Sequence, residues 1–274
     1  MSSGIISHFV LLDCMRAIHL NRTPSYSTQE LHTSLPSGNG DFQEAYRSLK
    51  GGRFEHTDVT PENALLLLCA ILSDMVVSIR VFGKALCQDW PLDFTESIQP
   101  PDCVAPFSAT REARRTGTRL ALWLDNWLAT FGPKVSSDTT ALYFFCRLLL
   151  AYPLALDLPR TARYQGQPRQ SEDAETGHPG FYPTDIPEEA VRFSWLLLKQ
   201  ITSSMDIVVS PVWLPIIAFY AGLVVGIKIR SAPPEAAGQS GILRSLTLFQ
   251  SELNNMGWPC CEAMVATLET VMKS

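Results

Sequence analysis

Nowhere does this chain alternate apolar and polar residues with the period of a strand. Its apolar residues recur instead every three to four positions, in segments bounded by capping and breaking residues. That pattern predicts an all-α fold, a large irregular helical domain of roughly eight to ten helices. Charged residues make up 18% of the chain and hydrophobic ones 46%. A typical soluble domain carries about 25% charged residues, so a large share of this chain must be buried. Its 274 residues suit one large domain or two tightly packed halves, and no solenoid-type repeat is present.

The helices can be placed from their punctuation. One is expected almost from the first residue, capped by Ser3, with Ile6, Phe9, Val10, Asp13 and Ile18 at helical spacing. Residues 21–59 read mainly as connector, with turns at Pro24, Pro36 and Ser37-Gly38-Asn39-Gly40. Within them a short helix over 41–50 ends at Gly51-Gly52. Thr60-Pro61 is an N-cap and first-turn proline pair. The helix it starts runs to about Leu86, apolar nearly all round and therefore central. After a Pro-rich connector over 88–107, helices follow at 108–131 and 137–156, the latter with Leu142, Phe145, Leu149 and Tyr152 on one stripe.

Residues 157–186 are polar and rich in Pro and Gly, and predict a flexible loop. That loop divides one helical region into an N-terminal part, 1–156, and a C-terminal part, 187–274. A helix resumes after Pro187, and the tail carries two more, one over 243–256 and one after Trp258-Pro259.

Between them lies IVVSPVWLPIIAFYAGLVVGI, residues 207–227, which carry no charge. A run of about 20 apolar residues is long enough to span a bilayer. Pro211 and Pro215 would break its first turns in lipid, and Asp206 and Lys228 at its ends give no positive-inside asymmetry. The favoured reading is a core helix starting near Pro211 and packed through Ala218, Ala221, Gly222 and Gly226. A membrane anchor through 207–227 is the competing one.

A net charge of −5 argues against binding a polyanion through the whole surface, which needs clustered Lys and Arg. The apolar N-terminus lacks a basic leader, and His8, Asp13 and Arg16 interrupt it, so it does not read as a signal peptide. Without an export signal, the Asn21-Arg22-Thr23 sequon is read as chance. The seven scattered cysteines, Cys14, Cys69, Cys87, Cys103, Cys146, Cys260 and Cys261, read as free thiols of a reducing compartment. None has zinc-knuckle spacing, and the adjacent Cys260-Cys261 pair is a poor zinc chelate.

No catalytic, cofactor-binding or metal-ligating residues emerge, and no enzyme activity is expected. There is no nucleophile elbow, metalloprotease helix, phosphate loop or dinucleotide fingerprint. His8 and Asp13 have acyltransferase-like spacing, but residues five apart on a helix do not share a face. Glu188 and Glu189 read as complements to a helix N-terminus. Arg111, Arg114, Arg115 and Arg119 read as a solvated helix face, with a nuclear-import or acidic-partner patch as the alternative.

The order of the segments resembles a family. In FVLLDCMRAIHLNRTPSYSTQELHTSLP, residues Leu12, Asp13, Arg22, Pro24, Leu31, Leu35 and Pro36 match a segment of fungal zinc-cluster transcription factors, with Asn21 where Gly is usual. The helix around Tyr143, Leu148 and Leu149 resembles that family's Tyr-His-Leu helix, with Phe144 in place of His. Ala221-Gly222 in its Pro-led apolar run, and Trp258-Pro259 between the closing helices, complete the likeness. It covers most of the chain outside 157–186.

The resemblance implies the all-helical regulatory region called the middle homology region. It implies nuclear localisation and transcription regulation through protein partners, self-association or a small-molecule effector, with control of a biosynthetic gene cluster for secondary metabolism as one role. The six-cysteine zinc cluster of the family is missing, which argues against direct DNA binding by these residues. The expectation is therefore a chain that begins inside the regulatory region. A truncated gene model, a degenerate gene and a stand-alone module all remain open. A helical small-molecule-binding or biosynthetic pathway protein is the other alternative.

Overall fold

The computed structural model describes residues 4–54, 60–88, 108–164, 186–203, 210–231 and 239–273. Among them are ten α-helices and no strand, only an isolated antiparallel bridge between Ser34 and Asp41. The all-α expectation holds. The chain forms two compact units, one of Met1–Cys14 with Thr23–Lys134, the other of Met15–Arg22 with Val135–Ser274.

In the first unit lie α1 (Gly4–His19, as far as Cys14), α2 (Phe42–Lys50), α3 (Pro61–Gln88) and α4 (Ala109–Phe131). Three starts are fixed by side-chain caps. Asp41 accepts from the Glu44 amide at 3.2 Å, Thr60 Oγ1 from Asn63 at 3.2 Å and Ser108 Oγ from Arg111 at 3.4 Å. The core forms where α3 meets α4. Leu120, Leu124, Trp127 and Phe131 recur at helical spacing and are buried on one face of α4, as are Leu67, Ile71 and Met75 on α3. The Trp127 indole, itself fully buried, donates to the Ala64 carbonyl at 2.8 Å.

Two expectations about faces need correction here. Helix α3 is not buried throughout, because Val77 and Val81 in its second half are exposed. Phe9 of α1 is 64% exposed, while Ser7, Val10, Leu11 and Cys14 form the inward stripe. Both helices are so uniformly apolar that hydrophobicity alone could not tell their faces apart. The proposed Ser3 cap lies outside the described residues.

The second unit contains the last turn of α1, then α5 (Ser137–Ala151), α6 (Leu158–Thr161), α7 (Glu188–Ser203), α8 (Leu214–Ser231), α9 (Gln239–Met256) and α10 (Pro259–Lys273). Helix α5 packs most extensively on α7. At the centre is α8, buried at every position from Leu214 to Ile227 except Ile216, and contacted by α5, α6, α7, α9 and α10. Its two glycines permit close approach. A Cβ on Gly222 would lie 3.2 Å from Leu268 of α10, and one on Gly226 would lie 3.3 Å from Leu246 of α9. By length and composition α8 and residues Pro61–Phe82 of α3 could each cross a membrane, yet 72% and 61% of their apolar windows are buried within the protein.

Four boundaries differ from those read in the sequence. The helix expected over 137–156 ends at Ala151, and the chain turns by 104° into the following Pro153–Thr161 segment. Pro153 is the cause, since the residue before a proline is driven out of the α region, and Tyr152 has φ −145° and ψ 80°. The loop expected from 157 contains α6 and the buried Ala162 and Tyr164. Its remainder, 165–185, lies outside the described residues. Helix α8 starts at Leu214, with Pro215 in its first turn, and α9 begins four residues before Leu243.

Candidate functional site

The residues that carry the family resemblance occupy definite structural positions. Asp13 Oδ2 accepts the backbone N–H groups of Ser25 at 2.6 Å and Tyr26 at 3.2 Å, fixing the turn after Pro24. Asn21 adopts φ +55°, a conformation that glycine and asparagine tolerate best. The Arg22 amide donates to the Ala17 carbonyl at 2.7 Å, closing the end of α1. Leu35 is buried at the base of the Leu-Pro segment. Phe144 stacks with Phe193 of α7, ring centroids 6.4 Å apart. Trp258 donates from Nε1 to the Ser210 carbonyl at 3.2 Å, and Pro259 opens α10.

Among the described residues of the first unit, a polar cluster gathers around Asp74, an acidic residue set in the apolar run of α3. Thr28 Oγ1 donates to its Oδ1 at 2.5 Å, and Tyr46 OH donates to Oδ2 at 2.8 Å. Lys50, one turn beyond Tyr46 on α2, donates to Oδ2 at 3.1 Å. Its Nζ also lies 3.8 Å from the centre of the Tyr46 ring and 4.2 Å from that of Trp123 on α4. Gln43 Nε2 secures the Thr28 end by donating to the Thr28 and Leu31 carbonyls at 2.6 and 3.0 Å.

Burial pushes the Tyr46 hydroxyl well above its ordinary range, and the Asp74 charge adds to the effect. Burial likewise pushes the Cys14 thiol up to about 12, with Ser73 opposing and Asp13 and Asp74 reinforcing the rise. A protonated phenol and thiol are poor nucleophiles, and both Asp74 oxygens already accept hydrogen bonds. This geometry ties the Thr28 turn, α2, α3 and α4 together. Its chemical output is positional, and its partners are spread over residues 28 to 123, which is why no sequence motif marks it. The one available signal was a lone carboxylate inside an apolar helix.

The residues weighed from sequence take ordinary places. His8 is exposed, and Asp13 serves the turn described above. Glu188 pairs with Lys228 at 2.8 Å, Lys228 also donates to the Ile186 carbonyl at 2.7 Å, and Glu189 pairs with Arg192 at 3.3 Å. Arg111, Arg114, Arg115 and Arg119 line the exposed side of α4, where Arg115 reaches Glu112 at 3.4 Å. Cys14, Cys69, Cys146 and Cys261 are buried free thiols and Cys260 is half-buried; Cys103 and the side chain of Cys87 lie outside the described set. Among the described residues no group of three or more His, Cys, Asp or Glu side chains could hold a metal ion. No family model, curated protein or solved structure matches the chain.

Proposed function

We propose that this chain is a transcription regulator of fungal type, acting in the nucleus through its helical regulatory region. Its contacts are with protein partners or a small effector, and control of a biosynthetic gene cluster is the role that fits the resemblance. The observation that carries the reading is the turn held by Asp13. Asp13 of the Leu-Leu-Asp helix accepts the Ser25 and Tyr26 amides, within the segment on which the likeness is read. Burial of α8 among five other helices supports a core role for 207–227 and weighs against the membrane-anchor alternative.

The experiment is to follow a fluorescently tagged chain in its host and compare transcript profiles with and without the gene. Nuclear fluorescence together with an altered set of transcripts is the expected result. A tagged protein that stays out of nuclei, with transcripts unchanged on deletion, overturns the proposal. Metabolite loss with intact transcripts would point instead to a pathway protein.

A further inference from the structure

In the second unit, two cysteines stand side by side at the start of a helix. Cys260 and Cys261 follow Pro259 in the first turn of α10, both as free thiols. Cys260 is half-buried and Cys261 is only 3% exposed, and Cys260 adds to the burial that pushes the Cys261 thiol up. Tyr164 lies beside them, its hydroxyl pushed up first by burial and then by the two sulfurs. His19 meets the Tyr164 ring edge-on at 5.9 Å, and Phe219 packs on it at 4.9 Å. Two soft ligands thus share an apolar and aromatic surround, one of them open to solvent.

Adjacent residues constrain what can join them. Their Cα atoms are about 3.8 Å apart, below the roughly 4.4–6.8 Å usual for a disulfide. Neighbouring side chains on a helix also diverge by about 100° around its axis. Closing the sulfurs to bonding distance would therefore strain the first turn. An atom inserted between the sulfurs relaxes that demand, because they then need not touch. Zinc does not suit the position, since it asks for four ligands in a tetrahedron. A thiophilic centre satisfied by two thiols does.

We propose that Cys260 and Cys261 form a two-thiol site for trivalent arsenicals. The step is a condensation: an organoarsonous acid loses two hydroxyls, each leaving as water with one thiol proton, as two As–S bonds replace two As–O bonds. Nothing is oxidised or reduced. The half-buried Cys260 reacts first and delivers the arsenic to Cys261, whose thiol burial holds up to about 11. The site is independent of the transcriptional reading and stands or falls separately.

Phenylarsine oxide is the probe, added to the folded full-length chain and followed by intact mass and by mass mapping of peptides. One phenylarsenic group per chain is expected on the peptide carrying Cys260 and Cys261. It should withstand excess monothiol and be stripped by 2,3-dimercaptopropanol. Cys260→Ser should weaken retention by about a hundredfold, the gain a tethered second ligand provides, with helical circular dichroism unchanged. Equal retention by Cys260→Ser overturns the proposal. So does monothiol removal of the adduct from the native chain, or mapping of that adduct to another cysteine, a result that holds even if the variant folds poorly.

Discussion

Cys14 and Tyr46 set an alkaline limit on the first unit. Both keep their protons in the folded state beyond the point at which the unfolded chain releases them, Cys14 from an ordinary 9.0 up to about 12 and Tyr46 from 10.0 to well above it. A folded-state pKa raised in this way contributes stability that is fully present below the unfolded value and is lost as pH rises towards the folded one. Denaturant midpoints should therefore hold up to about pH 9 and fall between there and about 12. Cys14→Ala removes the Cys14 contribution, so its midpoint should decline less steeply with pH than that of the native chain. Parallel slopes would contradict the assignment. Residue-scale behaviour of this kind was hard to see in the sequence: Cys14 lies in an ordinary amphipathic helix, and its neighbours Ser73 and Asp74 are some sixty positions away. Asp13 was singled out in the sequence only by its spacing and its place in the likeness, and its hold on the turn twelve residues on went unread, because a helical carboxylate does not announce which amides it accepts.

At the scale of elements, caps and prolines decided what could be read. Ser108 and Thr60 lie next to the helices they start, so those boundaries follow from local chemistry. The early end of α5 was also written in the sequence, at Pro153, but the apolar stripe running through to Tyr152 masked it. Residues 158–164 were read as loop because composition averages over a long window, whereas Tyr164 is held by Phe219, more than fifty positions away. Close approach of α8 to α10 is another contact between distant segments, and it supports a prediction. Gly222→Ala gains about 1 kcal/mol of helix propensity, but its Cβ would lie 3.2 Å from a Leu268 methyl, the movable end of a side chain. The two effects should nearly cancel. Gly222→Val cannot be absorbed in this way and should cost about 1–3 kcal/mol through overpacking. Thermal unfolding followed at the helical circular dichroism band separates the two. An alanine variant as unstable as the valine one would mean that α8 and α10 meet more rigidly than described.

At the scale of the whole molecule, fold class was legible and function was not. Helical periodicity without strand alternation fixes an all-α chain, because each apolar stripe must find another to cover it. It says nothing of what the finished surface contacts, since function resides in sites and not in the fold. Here the polar groups gathered around Asp74 hold helices in place, so the functional account rests on the turn held by Asp13 and the ordered likeness around it. Fusing the full chain to an unrelated DNA-binding domain in a fungal host, upstream of a reporter, tests that account most directly. The account predicts that reporter transcription changes relative to the DNA-binding domain alone, and that Asp13→Ala, which frees the Ser25 and Tyr26 amides, diminishes the change. A fusion that is folded, nuclear and bound at its site yet leaves the reporter at the level of the DNA-binding domain alone would contradict it.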